Sequence, residues 1–201
     1  MDSEKRTEDG RKIRIRLVPD EGYTLDELYS GDGHRVRVAY LKRSRYCLGD
    51  EAVDEARMKD ISAKIRSGEY IGLPVYAYVH GGVALSTDRR YPFDDAWDSG
   101  QSGFAYIPKR KTGYGRVTKK RRAEVEGWCR SAVREMSSIL GGDVWGVVAE
   151  RLEYTGSGGE ELWTAEDSIW GYVGRDWAES EAESLADGYR ADGWEVEADG
   201  I

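Results

Sequence analysis

The chain has 201 residues, enough for one well-buried domain, and its length gives no reason to expect two. It carries 30 basic and 38 acidic side chains, a net charge of −8, and its pI near 5.0 argues against a dedicated DNA-binding protein. No apolar run approaches the ~18 residues that span a bilayer, and residues 1–10 lack the hydrophobic segment of a signal peptide. The composition therefore predicts a cytoplasmic protein without a membrane span.

The two cysteines, Cys47 and Cys129, do not form a CxxC pair, so they indicate neither a disulfide framework nor a zinc site. The acidic excess lies at the end of the chain: residues 176–201 carry nine acidic side chains and one basic side chain, and residues 1–175 balance at zero. A solvated helix that aids solubility explains this acidity. A second explanation is that carboxylates on this helix imitate the phosphates of nucleic acid and occupy a Lys- and Arg-lined channel of a host nuclease. The candidate binding residues are Glu179, Glu181, Glu183 and Asp187.

The N-terminal third predicts a disordered segment, 1–10, and two half-buried strands, 12–18 and 35–41, in which apolar and basic residues alternate. We expect the two strands to pair around the Gly-rich turn at 31–33. Four arginines would then share one solvent face: Arg14, Arg16, Arg35 and Arg37.

The remaining elements follow from apolar periodicity and glycine punctuation. The pattern predicts a helix over 50–66 ending before Gly68, a hairpin over 73–87, a strand over 101–107, a long helix over 118–140 capped by Gly141-Gly142, a strand pair at 143–154 and 163–173, an acidic helix over 177–190 and a strand at 194–197.

Because glycine-turned hairpins recur, these elements favour an α+β fold, an antiparallel sheet of hairpins packed against one long and one or two shorter helices. The predicted organisation is a disordered N-terminus (1–10), a single domain (11–175) and an acidic C-terminal helix and strand segment (176–201).

Three carboxylates, Asp94, Asp95 and Asp98, precede a run of small polar residues and could hold Mg²⁺ or do acid-base work. The sequence lacks a matching second carboxylate with a lysine or histidine at a recognisable spacing. We therefore expect no metal, no cofactor and no catalytic residue. Instead Asp98 and Ser99 should cap a tight turn in which Gly100 has a positive φ.

One segment is strongly basic: from Asp98 to Glu124 it has no acidic residue between its ends, and Tyr106 and Tyr114 are interleaved with its lysines and arginines. Basic side chains can contact phosphates and tyrosines can stack on unpaired bases. Lys119, Arg121 and Arg122 are the candidates for this contact. An ordinary solvated helix start explains the same residues.

Several blocks of the sequence together resemble a known family. They are Trp97-Asp-Ser-Gly-Gln101, Gly103-Phe104, Tyr106, Gly142-Asp-Val-Trp-Gly146 and Asp167-Ser-Ile-Trp-Gly-Tyr172. In this order they resemble a family of small proteins from bacteriophages and mobile elements, of which at least one branch is an anti-CRISPR protein acting on Cas9. The chain departs from that pattern at Val79-His-Gly-Gly82 and in the insertion 88–93.

The resemblance implies a structural role for the turn Trp97, Asp98, Ser99, Gly100 and Gln101 and for Trp145 and Trp170. It also implies a non-enzymatic anti-CRISPR protein that binds a host Cas effector nuclease or its guide-RNA complex and blocks DNA engagement or cleavage. A nucleic-acid-binding accessory protein, an antirestriction DNA mimic and a Mg²⁺-dependent enzyme stay open as alternatives. A Trp- and Tyr-rich surface is compatible with a homodimer.

Overall fold

The computed structural model describes residues 11–29, 35–42, 44–79, 81–88 and 99–199, with Tyr29, Ser99 and Asp199 described by their backbone alone. In chain order the elements are β1 (Lys12–Pro19), α1 (Leu25–Tyr29), β2 (Arg37–Leu41), β3 (Glu51–Val53), α2 (Glu55–Ser67), β4 (Tyr70–Val79), β5 (Val83–Ser86), β6 (Ser99–Pro108), a 3-10 turn (Lys109–Lys111), α3 (Lys119–Leu140), β7 (Val144–Thr155), β8 (Glu161–Val173), α4 (Arg175–Ala191) and β9 (Glu195–Asp199). The described residues form helices and two mainly antiparallel sheets, so the predicted α+β class is confirmed.

The chain divides into two compact units. Unit 1 takes in the chain as far as Tyr23 and again from Gly142 onward, and unit 2 is Thr24–Gly141. The sequence-based boundaries, one domain over 11–175 and an acidic segment after it, followed charge. Contacts group the acidic segment with β1, β7 and β8 instead, because α4 packs on these strands and β9 pairs with β1.

Unit 1 is a four-stranded sheet in the order β8-β7-β1-β9 with α4 against one face. β7 pairs antiparallel with both β8 and β1, and β9 runs parallel to β1. Helix α4 places fully buried alanines at four-residue steps, and these small side chains let it approach the sheet closely. The alanines are Ala178, Ala182 and Ala186, and they pack on Ile13, Ile15, Val147 and Ala149.

Unit 2 is a five-stranded sheet in the order β3-β2-β6-β4-β5 with a helix on each face. Side chains alternate along a strand: Tyr106 packs with Ile61 of α2, and its neighbours Ala105 and Ile107 are buried on the other face. The buried stripe of α3 covers that other face, where Ser137 Oγ accepts a hydrogen bond from the Leu85 backbone N–H at 2.9 Å.

The helix ends follow the local chemistry. Asp54 caps α2 by accepting the Arg57 N–H at 2.8 Å, and Gly68 ends it with φ of 77°. The helix begins later than the predicted residue 50 because 51–53 form β3. Thr118 caps α3, and the predicted 118–140 helix matches Lys119–Leu140. Gly142 supplies a left-handed conformation after it, with φ of 75°.

Two local predictions are wrong. β1 and β2 do not pair; they lie in different sheets, so the four arginines do not share one face through strand pairing. β1 instead pairs along its length with β7, and the register places Ile15 opposite Ala149 and Leu17 opposite Val147. Gly100 lies in strand β6 opposite Ala77 and its φ is not positive, because the strand begins at Ser99 rather than at Gln101.

Candidate functional site

Unit 2 contains two adjoining surface cavities, of about 810 and 720 Å³, that share Tyr70, Pro108, Arg110 and Gly113. We call them together the basic groove. Its other lining residues come from the start of β2 and the segment before it, from β3, from α2 and its connection to β4, from β6 and from the segment after β6: Arg35, Arg37, Glu51, Arg57, Lys64, Glu69, Tyr106, Lys109, Lys111, Tyr114 and Gly115.

Two stacked tyrosines form the floor of the groove. The rings of Tyr70 and Tyr106 lie 4.9 Å apart between centroids, with 11° between their planes. They come from neighbouring antiparallel strands in which Gly72 is paired with Tyr106. A Cβ at Gly72 would lie 2.5 Å from the Ala105 carbonyl oxygen and 2.7 Å from the Cβ of Tyr106, so the glycine permits the close approach of β6 at this point.

The Tyr106 hydroxyl donates a hydrogen bond to Glu51 Oε2 at 2.7 Å. Burial, and then the Glu51 carboxylate, raise the pKa of Tyr106 above its ordinary value, so the phenol stays protonated at neutral pH. Arg57 Nε lies 3.6 Å from Glu51 Oε1 and continues the chain of contacts. The floor is thereby held by a hydrogen bond and an ion pair and not by packing alone.

Basic side chains of α2 lie along the edge of the basic groove. Arg57 reaches Asp60 at 2.7 Å, and Lys64 reaches the same carboxylate at 3.1 Å while its Nζ lies 5.4 Å over the Tyr70 ring. Ion pairs this exposed contribute only about 0–1 kcal/mol. Both cations can therefore turn from Asp60 to an anionic ligand at small cost.

A buried threonine sets the position of the 3-10 turn Lys109–Lys111. The Thr112 hydroxyl donates to the Lys109 carbonyl at 2.8 Å and accepts the Tyr114 N–H at 3.2 Å, and the residue is 2% exposed. The Lys109 N–H is bound to the Glu69 carbonyl at 2.9 Å. This anchoring presents three consecutive exposed basic side chains at the groove.

Of the predicted basic contacts, Arg121 lies beside the groove. Its guanidinium covers the Tyr114 ring at 4.8 Å, and it donates to the Arg116 carbonyl at 3.0 Å. Tyr114 stacks on Trp128 at 6.2 Å between centroids. Lys119 is exposed and Arg122 lies near Glu126, and neither lines the groove.

The two units differ in net charge. Between Thr24 and Gly141 the sequence has 21 basic and 16 acidic side chains, a net charge of +5, whereas residues 142–201 have three basic and 16 acidic, a net charge of −13. Among the described residues that line the groove, seven are basic and two are acidic. The acidic pI of the whole chain therefore conceals a basic unit.

The acidic candidates of α4 do not form one face. At about 100° per residue, Glu179, Glu183 and Asp187 follow one stripe, and Glu181 points to the other side of the helix. Arg175 pairs with Glu179 at 2.6 Å and Arg190 with Asp187 at 2.7 Å. We call the stripe of Glu179, Glu183 and Asp187 the outer stripe, and two of its three carboxylates are paired with an arginine. The sequence-based boundary at residue 176 left Arg175 out of the acidic segment, so this pairing was not expected.

Asp94, Asp95, Trp97 and Asp98 lie outside the described residues, as do both histidines. Among the residues that the structure does describe, no three His, Cys, Asp or Glu side chains gather closely enough to hold a metal ion. Gln101 is exposed, and its Nε2 donates to the Gly103 carbonyl at 3.3 Å.

The remaining residues of the family-like blocks have packing roles. The Trp145 indole N–H donates to Asp143 Oδ1 at 2.8 Å, and Trp170 lies over Gly146, where an added Cβ would come within 2.3 Å of the indole. At Gly103 a Cβ would lie 1.8 Å from the Ala39 carbonyl oxygen. The glycines at these positions permit close approach of a ring or a neighbouring strand.

No protein-family model, no curated protein and no solved structure matches the chain. The likeness to the phage and mobile-element family therefore stays a prediction that rests on the quoted blocks. Within the described ranges, none of the helices has the length and apolar character needed to cross a membrane.

The sequence indicated only part of the groove. Tyr106, Tyr114 and the 109–111 run were visible as a basic segment with interleaved tyrosines. Arg35 and Arg37 were expected on a basic face, but together with Arg14 and Arg16 and not in this groove. Arg57, Lys64 and Tyr70 were missed because they lie on other elements and are brought to the groove by the pairing of β2, β6 and β4.

Proposed function

We propose that unit 2 binds single-stranded nucleic acid in the basic groove and acts by binding, without turnover. The observation that carries the proposal is the Tyr70–Tyr106 stack surrounded by seven basic side chains. Basic side chains that follow a backbone and aromatic rings that stack on bases are the usual components of a single-strand site.

Each part of the groove has a role in this proposal. The Lys109–Lys111 turn, held by Thr112, contacts phosphates. Tyr70 offers a stacking surface that Tyr106 supports from below. A base that stacks on Tyr70 displaces the Lys64 ammonium from over the ring, and Lys64 then reaches a phosphate. Duplex DNA cannot use the tyrosines in this way, because its bases are already stacked.

The test is fluorescence anisotropy of a labelled oligothymidylate of about 15 nucleotides, titrated with the full chain over a series of salt concentrations. Each phosphate contact contributes about −0.7 to the slope of log K against log salt for a single strand. The triple variant Lys109→Gln, Arg110→Gln, Lys111→Gln should reduce the magnitude of that slope by about 2.

Matched controls keep the test specific. Removing three exposed cations outside the groove, Lys42, Lys120 and Arg134, changes the net charge equally and should leave the slope nearly unchanged. Tyr70→Leu should weaken binding by about 1–3 kcal/mol and Tyr70→Phe should not. Equal effects of the groove and control triples, or no binding at low salt, would contradict the proposal.

A second proposal is the inhibition of a host Cas effector in the host cytoplasm, for which the net charge of −13 on residues 142–201 is the supporting observation. Such an inhibitor suppresses guide-directed cleavage when mixed stoichiometrically with purified effector. Lysine at Glu179, Glu181, Glu183 and Asp187 should weaken association and flatten its salt dependence. Cleavage that continues at molar excess of the chain, together with tight binding to bare oligonucleotide, would leave the accessory-protein function alone.

A further inference from the structure

Unit 1 contains a third cavity, of about 470 Å³, between strand β8 and helix α4. Its apolar lining is Val147, Ile169, Tyr172, Leu185 and Tyr189, and its polar lining is Glu181, Ser184, Gly188 and Asp192. We call it the β8–α4 groove. Two of the described lining residues are acidic and none is basic.

The carboxylates at this groove lack the compensation found on the outer stripe of α4. In the described part of the chain, Glu181 and Asp192 form no ion pair, whereas Glu179 and Asp187 do. Burial and then Glu181 raise the pKa of Tyr172, and burial, Asp167 and Glu166 raise the pKa of Tyr189. Negative potential therefore reaches both phenols that line the groove.

Strand β8 borders the groove and lies at the edge of its sheet among the described strands. It is 13 residues long, and its apolar side chains Leu162, Ile169 and Trp170 are 48–55% exposed. Natural edge strands are usually protected by lysine, proline or shortness, and β8 has no Lys, Arg or Pro. Its pairing with β7 is regular from Asp167 to Ile169, beside the groove.

We propose that the β8–α4 groove docks an extended, lysine- or arginine-bearing segment of a partner protein. The segment adds as a strand to the free edge of β8, about 4.8 Å away. Every second side chain then points to the α4 side, where Ile169 lies opposite the buried Val147 and Tyr172 lies opposite the partly buried Trp145. A long basic side chain lays its methylenes on Ile169 and Leu185 and its charge near Glu181 or Asp192.

A second copy of the chain fits this edge poorly. Two β8 strands side by side would place two acidic strands together, each carrying Glu161, Glu166 and Asp167 and neither carrying a basic residue. Like charges in direct opposition destabilise a strand pair. The negative charge of β8 and of its groove therefore favours a basic partner segment over a second copy of β8. The inference is independent of nucleic-acid binding by unit 2.

The probe is a labelled peptide of about nine residues, roughly 30 Å when extended, with alternating valine and lysine. Alternating valine and glutamate is its control. We expect the lysine peptide to bind the full chain and the glutamate peptide not to bind. Amide NMR shifts should move from Asp167 to Tyr172.

The double variant Glu181→Gln, Asp192→Asn should weaken the lysine peptide by about tenfold. Glu179→Gln, Glu183→Gln removes the same charge from the outer stripe and should change affinity by less than about twofold, because remote exposed charges are screened. Ile169→Lys, at an exposed position, should abolish peptide binding and leave oligothymidylate binding intact.

Three results would overturn the inference. One is equal binding of the two peptides. Another is an equal loss in the two double variants, which is the mark of non-specific attraction. The third is self-association in sedimentation that Ile169→Lys disperses, because the occupant of the edge would then be a second copy.

Discussion

Replacing Gly103 by alanine tests whether the close approach of β6 to β2 depends on the missing side chain. An added Cβ would lie 1.8 Å from the Ala39 carbonyl oxygen, and a backbone carbonyl cannot swing aside as a side chain can. The two strands would have to separate by roughly 1.5 Å to restore a normal contact. Such a shift breaks ladder hydrogen bonds along the pairing of Arg37–Tyr40 with β6.

The expected net cost is about 2–4.5 kcal/mol. Loss of about two ladder hydrogen bonds accounts for about 2 kcal/mol, and overpacking adds about 1–3 kcal/mol. Alanine also lowers the conformational entropy of the unfolded chain, which offsets this loss by at most about 0.5–1 kcal/mol. This loss is a large fraction of the 5–15 kcal/mol or so that stabilises a typical domain.

Two other glycines calibrate the measurement. Gly146→Ala meets the Trp170 indole, which is half exposed and can move, so we expect a loss of about 1 kcal/mol. Gly100→Ala meets nothing within 4 Å and lies in the same strand as Gly103, so it should be neutral or slightly stabilising.

Urea unfolding followed by far-UV circular dichroism compares the three variants with the wild type. The order of loss should be Gly103, then Gly146, then Gly100. A Gly103→Ala protein within about 1 kcal/mol of the wild type would show that the strands tolerate the added methyl group, and the argument from the carbonyl contact would fail.

Further predictions concern single groups. Thr112→Val should lower the free energy of unfolding by about 1–3 kcal/mol and weaken oligothymidylate binding, and Thr112→Ser should retain both, because the hydroxyl bridges two backbone groups. In the native protein a thiol reagent should modify the exposed Cys47 and spare the buried Cys129, whereas in denaturant it should modify both; equal native reactivity would contradict the described burial. Burial raises the pKa of Cys129 from 9.0 to about 12. The stability tied to this neutral thiol is therefore intact below pH 9 and is lost as pH rises from 9 toward 12, a loss that Cys129→Ala should remove from the pH profile of urea midpoints. Asp54→Ala should cost about 1 kcal/mol in thermal or urea unfolding by removing the cap of α2.

Local chemistry explains which parts of the fold the sequence revealed. The three- and four-residue spacing of Val125, Cys129, Val133 and Met136 predicts α3, and Thr118 marks its start, since both signals lie within one stretch of chain. The strand pair β7–β8 was likewise visible through its glycine turn. The pairing of β1 with β7 could not be predicted, because the alternation of apolar and basic residues in β1 identifies a half-buried strand but not its partner.

The groove shows the same limit. Lys109–Lys111 is a contiguous run, so its charge is visible in the sequence. Arg57 and Lys64, in contrast, read as ordinary solvated helix residues until the sheet places Tyr70 beside them. The whole-chain pI pointed away from phosphate binding because it averages a basic unit with an acidic one.

The place of unit 2 in the chain has a consequence for biosynthesis. Strand β1 is a central strand of its sheet, yet its partner β7 follows only after Gly141, 118 residues beyond Tyr23. The Asp20 N–H is bound to the Val144 carbonyl at 2.8 Å, so the two ends of unit 1 meet where the long excursion leaves and returns. At roughly 5–20 residues per second, a ribosome needs on the order of 6–24 s to make that excursion. During this time Ile13 and Ile15 have no sheet to join, while unit 2 emerges with all of its own strands. Synthesis therefore favours a protein in which the inserted unit folds first and the surrounding unit closes last.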